Sequence, residues 1–402
     1  MSPSSRSLDV AIAGGGVVGL TTAALLAESG FRVHLFDPNP APQMPAEGYD
    51  VRQYALSPAS RNVLLRVGAW DGVDHSRVAT VEGMAVWDAC SIGAIDFGRN
   101  SPSANLAFMV EHANLVTALR ERAVVLGVTL EVDTIDSATQ VQDGIMLSLA
   151  SGRSSLARLL VAADGRRSGV AGSLGIQTTR QPYGQRALAA NIVCETEHGN
   201  VARQRFLPTG PLAVLPLPEP RFSSIVWSCR DEYADELLGI SEDRFAAALS
   251  SAFEYKLGTL RPVSPVSSFE LERAQASQWC GRNWVLVGDA AHTIHPLAGQ
   301  GLNLGIMDAA SMHELITAGD NREIPGMSTL RRYERWRKSE AFKFDQLIHS
   351  LHHVFASERR ALTTLRGTGM QLIDRCTVLN RWFVTQALGV GREAPATARA
   401  SK

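Results

Sequence analysis

Cysteine is scarce and scattered in this chain: five thiols in 402 residues, Cys90, Cys194, Cys229, Cys280 and Cys376, with no CxxC pair among them. That pattern excludes a disulfide framework and a metal site, reads as packed core thiols, and fits a reducing cytoplasm. Net charge is nearly absent as well, at −1, so no general attraction to nucleic acid is expected. Repeats and low-complexity segments are missing apart from a short tail, Glu393 to Lys402, which reads as disordered. One stretch, Val10 to Ala27, carries no charge and is long enough to suggest a membrane span. Three consecutive glycines inside it argue against a span, and the polar start Met1 to Ser7 has no apolar core of a signal peptide. The expectation is a soluble chain, long enough for a large core and two lobes.

What is present begins with that uncharged stretch. Leu8 to Ala13 form a short apolar strand, Gly14-Gly15-Gly16-Val17-Val18-Gly19 a glycine-rich turn, and an apolar helix follows to about Glu28. Gly30 ends the helix, and Phe31 to Phe36 supply a second strand ending at Asp37, 18 residues beyond Gly19. Strand, turn, helix, strand and acid in this register form a dinucleotide fingerprint. The glycines allow a tight turn and close approach to a pyrophosphate, and the acid holds a ribose diol.

The most informative stretch lies late. Val285 to Val287 lead as a strand into Gly288-Asp289, followed by Ala290-Ala291-His292-Thr293-Ile294-His295-Pro296-Leu297-Ala298-Gly299-Gln300-Gly301 and a helical pattern from Leu302 to about Ala318, stopped by Gly319. A strand, a glycine-framed loop and a helix N-terminus aim backbone N–H groups and a dipole at something electron-rich. Between the two motifs, Leu156 to Ala163 read as a strand ending at Asp164-Gly165, and Asn105 to Leu126 as a strand edge and a helix. Arg186 to Thr196, Arg203 to Phe206, Leu212 to Leu217 and Phe222 to Ser228, with Gly83 to Phe97, read as a β-rich layer. Thr329 to about Ser357 and Leu362 to Leu388 are helical by periodicity. No second strand-preceded glycine fingerprint occurs, which excludes flavoenzymes built on two such units.

One early GxGxxG, a middle Asp-Gly and a late Gly-Asp together resemble the single-component FAD-dependent aromatic hydroxylases (class A flavoprotein aromatic monooxygenases). Gly288 to Gly305 is similar to the ubiquinone-biosynthesis hydroxylases within that family. Asp50 to Ser57, Leu64 to Trp70 and Arg331 to Arg335 add support, and the likeness spans about residues 8 to 390. It implies an α/β fold: a Rossmann-like FAD-binding domain in three pieces (1–75, 105–180, 271–328), a β-sheet substrate domain (76–104, 181–270), C-terminal helices (329–392) and the tail (393–402).

It also implies roles. Gly14, Gly15, Gly16, Val17 and Val18 would face the FAD pyrophosphate, Asp37 the adenosine ribose, and Arg52 the ribityl–phosphate arm. His112 would stand near the cofactor, with a satisfied surface histidine as the alternative. Asp164 would help close the site, its alternative a strand-end turn cap. Asp289 would hold ribityl hydroxyls, and Gly299, Gln300, Gly301, Leu302 and Asn303 would set backbone N–H groups by the flavin's pyrimidine edge. His295, Pro296 and Leu297 are candidates to line the flavin face; no acid or base is assigned, and His292 and His295 read equally well as loop-ordering residues. After Asp-Gly the family carries Ser and then Arg three residues on. Here Ser168 is followed by Ala171, which puts the nicotinamide contact in doubt unless Arg166 and Arg167 substitute.

The activity implied is NAD(P)H- and O2-dependent hydroxylation of a polyprenylphenol ring through a flavin C4a-hydroperoxide, with position C5 preferred on Gly83 to Asp88 and Ser224 to Ser228. The alternatives are a flavin hydroxylase of a soluble aromatic and a non-catalytic FAD-binding scaffold. A halogenase is disfavoured because no Trp-x-Trp-x-Ile-Pro occurs. A membrane-soluble substrate suggests peripheral contact with the inner membrane or with other ubiquinone-biosynthesis proteins. A C-terminal stripe of Leu362, Leu365, Leu372, Ile373, Cys376, Leu379 and Phe383 offers a docking face or, preferably, packs on the enzyme's own body. The basic run Arg331 to Lys338 reads as lipid or phosphate contact or a solvated face. Trp87 and Trp227 read as core before cavity lining.

Overall fold

The computed structural model describes residues 8–98, 105–295, 299–319, 323–356, 360–376, 388–389 and 393–399. Its nucleotide half is a sheet whose parallel strands run in the order 284–286, 154–162, 8–13, 33–36, 129–131. Val10–Ala13 and Leu159–Ala162 are buried throughout, as strands covered on both faces must be. One face takes the helices Val17–Glu28, His112–Val125 and Gly301–Thr317, packed through Leu20, Leu25, Leu119 and Ile306. The other face is covered by the antiparallel hairpin of Ile135–Val141 and Gly144–Leu149, with Val170, Trp279 and Trp284. Register aligns the strand ends: Ala13 pairs with Phe36 and with Ala162, and Ala162 with Leu286. The three motifs therefore leave the sheet side by side at its carboxyl edge, where open α/β sheets bind ligands.

The β-rich layer is a nine-stranded sheet built around the long strand Thr178–Cys194, which crosses the boundary expected at residue 181. Two helices, Asp231–Gly239 and Glu242–Ala252, cover one of its faces through Leu237, Phe245 and Leu249. Their acidic first turns suit the positive ends of their dipoles. A three-stranded sheet of 53–56, 107–111 and 79–81 joins the two halves. The long helix Met327–Ala356 then runs from the nucleotide half to the β-rich sheet, where Ile348 and Met370 pack on Val86, Ile95 and Phe206.

Three expectations are corrected. The tail is not loose through residue 399: Ala398 is buried against the nucleotide half, its carbonyl accepts from Asn62 Nδ2 at 3.0 Å, and Glu314 accepts from Ala396 N–H at 2.7 Å. Only Cys194, Cys229 and Cys280 are packed core thiols; Cys90 is exposed and Cys376 half-buried. The C-terminal stripe is split, because Ile373 packs on the β-rich sheet while Leu372 is 61% exposed. The side chains of Leu362, Leu365, Leu379 and Phe383 lie outside the described residues. Trp227 is fully buried core, and half-buried Trp87 donates to Glu254 Oε2 at 3.0 Å. Among the described residues no helix is long and apolar enough to cross a membrane.

Candidate active site

The glycines of the first turn answer different demands. Gly14 takes φ +103°, and a side chain there would collide with the Ala163 carbonyl, so the middle Asp-Gly strand abuts the early turn. Gly16 faces open space at the N-terminus of the first helix, which no side chain caps and no acid crowds. Bare N–H groups at a helix start suit a pyrophosphate. Gly15 N–H donates to Asp37, whose other oxygen accepts from Asn39 N–H at 2.7 Å. Val17 is core, so it can offer only its backbone, whereas Val18 packs under the late Gly-Asp turn: a Cβ on Gly288 would lie 3.2 Å from Val18.

The three motifs thus touch one another. Asp164 accepts from Val170 N–H at 3.1 Å through one oxygen, which is the turn-cap role; its other oxygen is buried without a partner among the described residues. Burial pushes this carboxyl above the usual aspartate range. Asp289 is exposed, with no hydrogen bond to its carboxylate among the described residues; the protein packed around it raises its pKa too, against His292 and Arg52. A buried Asp164 oxygen short of a partner, and an Asp289 carboxylate left open beside it, are what a cofactor's hydroxyls and amides would satisfy. The residues present fit FAD.

Around them stand Arg52, Tyr54 and His112. The Arg52 guanidinium is exposed, 5.6 Å from the Tyr54 ring centre, and Tyr54 Oη lies 3.0 Å from His112 Nδ1. Burial pushes Tyr54 up to about 12 and, with Arg52, pulls His112 down to about 4, so both are neutral near pH 7. His112 heads its helix, half-buried, with its ring nitrogen satisfied by Tyr54. On the opposite side Gly299 (φ +61°) lies against Ala55, and Gln300 and Gly301 open the late helix with no side-chain cap.

Asn303 has a structural task. Its Oδ1 accepts from Ser57 N–H (2.9 Å) and Ser60 Oγ (2.7 Å), and its Nδ2 donates to Ala55 O (2.9 Å), stapling the late helix to the strand at 53–56. The Leu302 side chain packs into the core. His295 is buried, edge-on to Tyr183 with centroids 4.7 Å apart and Nε2 3.3 Å from Gln185 Oε1. Pro296 and Leu297 lie outside the described residues.

Sequence reasoning missed Asp308, Arg337 and the buried Arg77–Glu111 pair. Arg77 Nε lies 2.6 Å from Glu111 Oε2, and Glu111 Oε1 also accepts from Asp50 N–H at 2.6 Å, bracing the segment before Arg52. The signal for Asp308 was available: it is the one charge between Gly288-Asp289 and Glu314 apart from histidine, set in an apolar helix. Arg337 corrects the reading of Arg331 to Lys338 as a solvated face, because it is buried against Asp308.

The sequence pattern described as the FAD binding domain matches residues 7–342. The chain belongs to this family of FAD-dependent hydroxylases. It is 33% identical over 391 residues to the ubiquinone hydroxylase UbiL of Rhodospirillum rubrum, covering 96% of this chain and 91% of that protein. It is 31% identical to the 3-demethoxyubiquinol 3-hydroxylase of Escherichia coli, covering 96% of this chain and all of that protein. In fold it matches p-nitrophenol 4-monooxygenase from Pseudomonas putida with a TM-score of 0.75 at 19% identity, covering 96% of this chain and 99% of that one. The α/β architecture, FAD as cofactor and monooxygenase chemistry follow from family membership.

Proposed function

We propose that this hydroxylase acts on the aromatic ring of a polyprenylphenol in ubiquinone biosynthesis, at ring position C5, using NAD(P)H and O2. The observation that carries the reading is identity above 30%, over nine-tenths or more of each chain, to proteins named as a ubiquinone hydroxylase and a 3-demethoxyubiquinol 3-hydroxylase. Bound FAD, reduced by NAD(P)H, supplies the oxygen activation. The chain's own residues bind and orient. Gly14 to Val18 present N–H groups to the pyrophosphate, Asp37 takes the adenosine ribose once its contact with Gly15 yields, and Arg52 offers charge to the phosphate arm. Asp164 and Asp289 accept from hydroxyls, and Gly299 to Asn303 present the N-terminus of the late helix to the pyrimidine edge, where negative charge develops on reduction. The β-rich sheet roofs the site against water. Pro296, Leu297 and His295 would border the ring, and peripheral contact with the inner membrane would deliver the substrate.

Deleting the gene and measuring quinone precursors by mass spectrometry tests this. A prenylphenol lacking the C5 hydroxyl should accumulate as ubiquinone falls; unchanged ubiquinone with no such precursor sinks the reading. With purified protein, a prenylphenol should accelerate NAD(P)H oxidation without matching peroxide release. Coupling only to a soluble phenol would instead make it a hydroxylase of that compound.

A further inference from the structure

The Gly288–Asp289 turn is held by a network of buried side chains drawn from the late helix, the long helix and the segment just after the turn. Asp308, fully buried in the late helix, receives Gly288 N–H at 3.0 Å, Arg337 Nε at 2.7 Å and His292 Nε2 at 2.7 Å. Arg337 also donates to Leu304 O at 3.3 Å, and the His292 ring is stacked on Trp279 with centroids 4.8 Å apart. Burial alone would raise the Asp308 carboxyl; the facing His292 and the Arg337 guanidinium outweigh it and hold the acid below the usual aspartate range. An ionised acid taking a backbone N–H makes a strong, directional bond. Here that N–H belongs to a glycine at φ +59°, one residue before Asp289, wedged against Val18. The turn's height above the sheet is therefore set by a charge supplied from another helix.

We propose that Asp308 and Arg337 are positioning residues for FAD: Asp308 fixes the turn that aims the Asp289 carboxylate, and Arg337 holds the Asp308 carboxylate in place. The inference rests on FAD binding and is independent of the substrate. The same long helix offers a control. Tyr333, one turn before Arg337 and equally buried, donates to Leu286 O at 2.9 Å, in the strand rather than in the turn.

The test is FAD titration of full-length apoprotein by fluorescence quenching, with far-UV circular dichroism and thermal melting on each variant. Wild-type protein must bind FAD; if it does not, the cofactor reading itself fails, not the positioning role. R337K, which keeps the charge and loses the planar fork, should weaken FAD binding about tenfold while keeping the wild-type spectrum. Y333F should lower Tm and leave FAD affinity within about twofold. D289N should also weaken FAD, and the D289N/R337K double variant should bind about as well as the weaker single one, because both act through one turn. Unchanged affinity in R337K, equal responses of R337K and Y333F, or multiplying effects of D289N and R337K would each overturn the proposal. If R337K does not fold, H292Q is read in the same way; if neither folds, the network is a pillar of the fold and the positioning role falls.

Discussion

Two buried Asp–Arg pairs use the same chemistry in different places. Asp308–Arg337 lies beneath the cofactor turn; Asp88–Arg366 lies where the helix Arg360–Arg375 meets the β-rich sheet. Arg366 grips Asp88 through Nε at 2.8 Å and Nη2 at 3.1 Å, and its Nη1 donates to the carbonyls of Val354 and Phe355. Asp88 also accepts from Cys90 N–H at 3.2 Å, within its own hairpin. The second pair clamps helices onto a sheet. The first passes a backbone bond into a motif that binds. What a buried ion pair does is decided by its third partner.

Removing one member of the clamp should have the largest effect. R366M leaves Asp88 buried and unpaired and should cost about 3–5 kcal/mol in chemical denaturation, with the FAD affinity of the folded protein unchanged. An R366M/D88L double variant should recover most of that loss; if it does not, the clamp is more than a mutually satisfied pair. G14A attacks the cradle directly. Its side chain meets the Ala163 carbonyl at a φ that costs a non-glycine residue about 1–3 kcal/mol, so FAD affinity in titration should fall by roughly tenfold or more.

A neutral buried contact on the late helix sharpens the contrast. His313, bonded to Ser29 Oγ at 2.8 Å, is pulled down to about 4, by burial first and then by Arg66. Its unfolded form binds the proton first, so stability should fall as pH drops from about 6.5 toward 4, by at most about 1.4 kcal/mol per unit. An H313Q variant should flatten that part of the stability–pH curve; an unaltered slope would assign the acid sensitivity elsewhere. The smallest effect belongs to the exposed Arg261–Asp243 pair, 3.1 Å apart, whose removal by D243N should change stability by less than about 1 kcal/mol.

Much of the cofactor half was legible because its rules are local. Gly14 needs a positive φ, Gly16 an empty approach, and Asp37 a place at the end of the next strand; each shows as a residue type at a fixed spacing. The late helix and the strand before it were legible for the same reason. The helices 231–239 and 242–252 were not, because their polar starts and short apolar stripes look like loop until a sheet lies beneath them. The docked end at 393–399 was invisible too, since Ala396 and Ala398 are held by Asn62 and Glu314, more than 80 residues away.

The chain by itself determined the three turns, their order, and the family chemistry they imply, because turn sterics and helix termini act over a few residues. Only the tertiary structure decided that the turns meet at one sheet edge, that Asn303 is a staple, and that Arg337 leaves a basic run to face Asp308. Those outcomes depend on which buried charges come within reach of one another, and burial and distance across elements are properties of the packed whole.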